Sequence, residues 1–285
     1  MDRVTRPSRR GKTKLAHGRS LGWAEWGDER GRPVLLFPGA GTSASLGFGA
    51  EILDRLEVRL IGVDRPGLGL SDPAPGRTLL DWADDVGALI SARGIGRCPA
   101  IGFSQGAPFA LACAAKQVVS AVAIVSGTDE VAAPQLRERL PVELRELVDE
   151  VAHDPDAVEA RLAQTKVAEL LRWIASVGPE DLAVYTQPRF AAQLRRALDE
   201  GFSHGARGYA RDTLLALSPW PFALDEITVP VALWYGALDH SPSHSPDHGE
   251  TLATRIPSAR RTVVDGAGGA LLWTHAPEIL RQLLY

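Results

Sequence analysis

The sequence predicts an α/β fold, a mostly parallel twisted sheet flanked by helices and interrupted once by an all-helical insertion. Three observations carry this reading. Short apolar runs recur between turn residues, helical patterns alternate with those runs, and over residues 127–212 the alternation stops. A chain of 285 residues has the length of one large domain or of a domain carrying an insertion.

Taken in order, the chain opens on a basic stretch holding Arg3, Arg6, Arg9, Arg10, Lys12 and Lys14. A secretory signal would follow with about 7–15 apolar residues, but the chain continues Leu15-Ala16-His17-Gly18-Arg19-Ser20. No run reaches the roughly 18 apolar residues of a membrane span. The expectation is a cytoplasmic protein with a loose, solvated basic N-terminus. Apolar runs then fall at 34–37, 60–63, 100–103, 121–125, 229–235 and 262–264. Each has the length of a buried strand, and the bounding Gly, Pro and Asp argue against continuous helix. Thr78 followed by Asp81 is a capping arrangement that opens a helix through Leu89 and Ile90. Strands alternating with helices make a mostly parallel sheet covered on both faces.

Within 127–212 only helical signals occur. Leu144, Leu147, Val148 and Val151 share one face after Pro141, and Asp154-Pro155 reads as a cap and first-turn proline. Ala163, Val167, Leu170, Leu171 and Ile174 follow at helical spacing. No Gly/Ser-rich or Pro-rich linker sets the stretch apart, so it is expected to be a lid inserted between two parts of one core, 1–126 and 213–285.

The formal net charge of −4 gives no reason to expect nucleic acid or a membrane surface as partner. Cys98 and Cys113 make neither a disulfide framework nor a zinc-ligand spacing. Gly67-Leu68-Gly69 lacks the third glycine and following helix of a dinucleotide site, and Gly39-Ala40-Gly41 lacks the lysine of a P-loop. No cofactor and no metal is implied, and the expected partner is a small-molecule substrate.

The chemistry centres on Gly102-Phe103-Ser104-Gln105-Gly106, a G-x-S-x-G pattern between a strand and a helix. A sharp turn there forces the serine backbone into strain and lifts its hydroxyl over the sheet edge. Side chains two residues to either side would clash, hence the glycines. At this point the chain resembles the α/β-hydrolase superfamily over most of its length. Leu36-Phe37-Pro38-Gly39-Ala40-Gly41 stands where that family has its oxyanion loop. Asp64-Arg65-Pro66-Gly67-Leu68-Gly69-Leu70-Ser71-Asp72 is similar to the family's D-R-P-G-x-G-x-S-D loop. Pro219-Trp220-Pro221-Phe222, followed by the run ending Gly236-Ala237-Leu238-Asp239, resembles the strand and G-x-x-D turn that presents the family's acid. The resemblance implies Ser104 as nucleophile, Asp239 as acid, and the backbone amides of Ala40 and Gln105 as oxyanion donors.

One position departs from the family. Its histidine belongs in a G-x-G-H turn after the last strand, and here that turn reads Asp265-Gly266-Ala267-Gly268-Gly269-Ala270. Gly269 stands where the base is expected, although the chain has 7 histidines. A serine hydroxyl without a base is a poor nucleophile. The sequence therefore points to an incomplete Ser-His-Asp triad, with His240 and His275 as alternative bases and a natural or an engineered loss both open. His240, His244 and His248 recur at four-residue intervals, but Pro242 and Pro246 break any helix that would align them on a metal. They read as a polar loop leading to a helix capped at Ser245-Pro246.

Three functions fit. The first is a serine hydrolase acting on an ester, thioester or amide of a small, partly apolar molecule. The second is a non-hydrolytic enzyme of the same fold, performing cyclisation, elimination or C–C rearrangement with the pocket and oxyanion donors alone. The third is a non-catalytic small-molecule binder. Trp173, Tyr185, Phe190, Phe202 and Tyr209 are the aromatic residues that the insertion could offer a pocket. A histidine restored at 269 is expected to complete the line from Ser104 to Asp239.

Overall fold

A computed structural model of the chain describes residues 3–285. Its strands are β1 (Arg9–Lys14), β2 (Ser20–Trp26), β3 (Arg32–Phe37), β4 (Val58–Val63), β5 (Ala100–Phe103), β6 (Val122–Val125), β7 (Val231–Gly236) and β8 (Ala259–Val264). They form one eight-stranded sheet in the order β1-β2-β4-β3-β5-β6-β7-β8. The first two pairings, β1 with β2 and β2 with β4, are antiparallel, and all later ones are parallel. The six apolar runs fall on β3 to β8. Along them successive side chains serve opposite faces: Leu35 and Phe37 enter one core, Val34 and Leu36 the other.

From Arg9 on, the basic stretch is not a loose tail. Half of the basic stretch is β1, an edge strand whose alternation of charged and small residues gives no apolar run to detect. Basic side chains on an edge also discourage pairing with other chains. Arg9 is structural: its Nε donates to Glu25 Oε2 at 2.9 Å, and Arg59 and Arg93 hold the other oxygen at 2.7 Å each. Burial pushes the Glu25 carboxyl up, but the three guanidinium groups outweigh it and leave the group below its ordinary value.

Helices α1 (Ala50–Arg55), α2 (Leu79–Ala92), α3 (Gly106–Ala115), α10 (Glu250–Arg255), α11 (Leu271–Thr274) and α12 (Ala276–Leu284) flank the sheet. Between β6 and β7 come α4 (Val142–His153), α5 (Pro155–Leu162), α6 (Val167–Ile174), α7 (Pro179–Tyr185), α8 (Pro188–Gly201) and α9 (Arg207–Leu217). Thr78 and Asp81 form a reciprocal capping box that starts α2, and Asp154 Oδ1 accepts the Ala157 N–H at 3.0 Å to start α5. Ala163 stands in a turn instead of a helix, because Glu169 Oε2 accepts the Lys166 N–H at 3.0 Å and opens a new one. The helical stretch continues to Leu217, past the boundary expected at 212. Beyond Ser245-Pro246 the chain stays in turns, and α10 begins only after Gly249, at φ +75°.

Trp82 of α2 lies edge-on between Phe37 of β3 and Phe109 of α3, with ring centroids 5.2 and 6.0 Å away. It is fully buried and backs the ends of two elements that converge on Ser104. Trp82→Ala is expected to cost about 3–5 kcal/mol of stability, read as a lowered urea midpoint with an unchanged slope.

Candidate active site

At the end of β5 the backbone turns sharply, and Ser104 takes φ +50°, a left-handed conformation that L-residues rarely adopt. The flanking glycines are sterically required. A Cβ at Gly102 would stand 2.7 Å from Gly106 O and 2.8 Å from Ala110 Cβ, and one at Gly106 would run into the Phe37 carbonyl oxygen.

Two amide N–H groups beside Ser104, those of Ala40 and Gln105, donate to no group among the described residues. Each is held through the other end of its own peptide plane. The Gly39 carbonyl shares a plane with the Ala40 N–H and accepts from Arg65 Nη2 at 3.0 Å and Thr42 Oγ1 at 3.1 Å. The Ser104 carbonyl shares a plane with the Gln105 N–H and accepts from the N–H groups of Ala107 at 3.0 Å and Thr128 at 3.2 Å. A planar trans peptide points its N–H opposite its C=O, so anchoring each carbonyl aims the amide on the far side. Arg65 is buried and also donates to Pro38 O at 2.5 Å and to Asp212 Oδ2 at 2.5 Å. Asp212 of α9 pairs with Arg77 as well.

Asp239 follows β7 in a turn that closes through its own N–H to Gly236 O. His244, five residues on, places Nδ1 2.7 Å from Asp239 Oδ2 and Nε2 3.0 Å from Ser104 Oγ. The Ser241 N–H donates to the other Asp239 oxygen at 3.1 Å. Burial pushes the Asp239 carboxyl up, but the facing imidazole and the Ser241 amide outweigh it, and the group sits below its ordinary value. All three members of the line are buried.

This corrects the expected vacancy. Neither His240 nor His275 reaches Ser104: His240 is exposed, and His275 precedes α12 with its Nδ1 2.9 Å from Thr274 Oγ1. The imidazole arrives from the loop after β7, and Gly269 is what admits it. A Cβ at Gly269 would stand 3.0 Å from both Asp239 oxygens and from His244 Cε1, closer than such contacts normally come. A side chain there requires the Asp239 carboxylate and the His244 ring to give way by a few tenths of an ångström, and a histidine restored at 269 would find the place between Asp239 and Ser104 already taken. The evenly spaced His240, His244 and His248 do not converge, and no group of three or more His, Cys, Asp or Glu among the described residues could hold a metal ion. The sequence did carry a signal for His244: an imidazole in the same loop as the acid, paired with a glycine where the family keeps its histidine.

Asp181 of α7 was also missed. Its carboxylate accepts the Gly269 N–H at 3.0 Å and the Ala270 N–H at 2.7 Å, tying the helical insertion to the turn that lacks a histidine. Burial raises its pKa, the two amides offset part of that, and the nearby Asp239 charge adds to it.

Ser104 and His244 open on a cavity of about 70 Å³. Trp173, Tyr185 and Phe190 from the insertion line it together with Phe103 and Trp273. Phe202 and Tyr209 do not line it; they pack on each other 5.5 Å apart.

The family model of the alpha/beta hydrolase fold matches residues 32–276. No curated protein matches the sequence. Among solved structures, a thermophilic esterase from Thermogutta terrifontis is 20% identical with a TM-score of 0.62, over 97% of this chain and 98% of that one. A bromoperoxidase from Bacillus anthracis is 18% identical with a TM-score of 0.70, over 97% and 99%. An enol-lactonase from Burkholderia xenovorans LB400 is 19% identical with a TM-score of 0.63, over 96% and 98%. At these identities the structures speak for the fold, and with the family match they make the chain a member of the α/β-hydrolase family.

Proposed function

We propose that this chain is a serine hydrolase that cleaves a small ester, with Ser104 as nucleophile, His244 as base and Asp239 as the acid that orients it. The single observation behind this is the His244 imidazole bridging Asp239 and Ser104 at hydrogen-bonding distance on both sides. Asp239 fixes the tautomer by accepting the Nδ1 proton, which leaves Nε2 free to accept the Ser104 proton.

The reaction then follows from the geometry. Ser104 Oγ attacks the acyl carbonyl as its proton passes to His244 Nε2. The carbonyl oxygen becomes an oxyanion facing the N–H groups of Ala40 and Gln105, each donor of this kind contributing about 2.7–4 kcal/mol. Collapse breaks the ester C–O bond, and the departing alkoxide takes the proton from His244. Water repeats the sequence on the acyl-serine, releasing the acid and restoring Ser104. With a base in reach, the non-hydrolytic and binder readings lose the vacancy on which they rested. So does an engineered loss, since Gly269 fits an imidazole that comes from elsewhere.

The cavity bounds the substrate. A volume of about 70 Å³ walled by aromatic rings suits a short acyl or alkyl group. It is far below the roughly 300–1,000 Å³ of pockets that take drug-sized ligands. That esterases and an enol-lactonase share the fold agrees with ester chemistry.

Three measurements test this reading. A fluorophosphonate is expected to label Ser104 stoichiometrically, and His244→Gln is expected to lower kcat on p-nitrophenyl butyrate by about 10³-fold or more with little change in KM. Wild-type kcat in His244→Gln would sink the assignment. Across p-nitrophenyl esters, kcat/KM is expected to fall at least about tenfold from butyrate to octanoate; a rise with chain length would contradict the substrate class.

A further inference from the structure

The loop that carries His244 hangs on one buried hydroxyl. Ser245 donates its N–H to Gly127 O at 2.9 Å, and its Oγ accepts the Gly249 N–H at 2.9 Å. On the other side of His244, the Ser243 carbonyl accepts from Thr128 Oγ1 at 2.8 Å. The segment that follows β6 thus fixes the loop both before and after the imidazole.

Ser245 Oγ also lies 3.1 Å from Asp129 Oδ2 and 3.0 Å from Asp247 Oδ1. A serine hydroxyl has one proton, so it can donate to only one of these carboxyl groups. Asp247 is equipped to carry charge: it accepts from the Glu250 N–H at 3.0 Å, the Thr251 N–H at 3.0 Å, Thr251 Oγ1 at 2.6 Å and Arg139 at 3.3 Å. Burial pushes its carboxyl up, but the Thr251 and Ser245 hydrogen bonds outweigh it, and the group sits below its ordinary value. Asp129 is fully buried and, among the described residues, its carboxyl accepts one other donor, the Glu130 N–H at 2.7 Å. Around it stand the Asp247 carboxylate, the Arg255 guanidinium (paired with Glu130) and the Tyr235 hydroxyl of β7, which donates to Gly127 O.

We propose that Asp129 is a positioning residue: its protonated carboxyl donates to Ser245 Oγ, Ser245 donates to Asp247, and this chain holds His244 against Ser104. The one proton and two lone pairs of the Ser245 hydroxyl then each have a use, whereas two ionised carboxylates would compete for one hydroxyl proton. The inference rests on His244 being the base. Burial, with the Asp247 charge next to it, raises the Asp129 carboxyl from an ordinary 3.8 to about 6. A raised carboxyl pKa contributes stability that is complete below about pH 3.8 and is lost as pH rises through about 6.

The test compares Asp129→Asn, Asp129→Ala and His244→Gln in the full chain, with p-nitrophenyl butyrate as substrate. At about pH 5.5, Asp129→Ala is expected to lower kcat about tenfold with KM within about twofold. Asn keeps both the donor and the acceptor, so Asp129→Asn should match wild type at about pH 5.5 and exceed it at about pH 8, where wild type has shed the proton. Its melting temperature should also lack the wild-type decline between about pH 4 and 6.5. Wild-type kcat in Asp129→Ala, a loss in Asp129→Asn equal to that in Asp129→Ala, or parallel melting curves would each overturn the proposal. If Asp129→Ala does not fold, Ser245→Ala replaces it with the same expected loss. Full activity in His244→Gln would instead remove the underlying reading of the base, while the melting curves still decide where the proton sits.

Discussion

One small volume between Asp239 and Ser104 governs the site. It holds a single imidazole, and whichever histidine fills it must be in contact with both side chains. Here the turn after β8 contributes a glycine, and a Cβ at Gly269 would already press on Asp239 and on His244 Cε1. The occupant comes from the loop after β7, so Asp239 and His244 sit five residues apart on one segment. The steric condition is thus shared: a glycine at 269 leaves Asp239 and His244 unpressed, and any side chain there would require both to shift by a few tenths of an ångström.

The remaining machinery is held by buried polar groups that reach in from elsewhere in the chain. Arg65 fixes the Gly39 carbonyl and thereby the direction of the Ala40 amide, and Asp212 of α9 in turn holds Arg65 and Arg77. The helical insertion is therefore built into the Ala40 side of the site as well as into the cavity wall. Asp181 does the same on the opposite side, binding the two amides of the vacant turn. Breaking one partner of such a buried pair leaves an uncompensated charge, so these groups set the register between insertion and core.

What could be read from the sequence follows from which signals are local. The strands buried on both faces are continuous apolar runs, and β3 to β7 stand out for that reason, whereas β8 is a half-exposed edge strand that shows only the short run 262–264. The turn at Ser104 and the loop at Asp64 are legible because sterics force glycines at fixed spacing. β1 was hidden because an edge strand alternates basic and small residues, and the partner that orders Arg9, Glu25, is 16 positions away. His244 was hidden for a different reason. Its spacing from His240 and His248 suggested a metal array or a solvated loop, whereas its contact with Ser104 spans 140 positions. Asp181 had no local pattern at all, since its partners are backbone amides 88 and 89 positions on.

The central claim is that the base has moved from one loop to another around a fixed acid and nucleophile. Exchanging the two positions tests it most directly. His244→Ala should reduce kcat on p-nitrophenyl butyrate by about 10³-fold, and adding Gly269→His to that variant should recover at least about tenfold, because the vacated space then accepts an imidazole from the turn after β8. Gly269→His alone, with His244 still in place, should lower kcat. Activity that rises in the single Gly269→His variant, or that is indifferent to His244→Ala, would contradict the account.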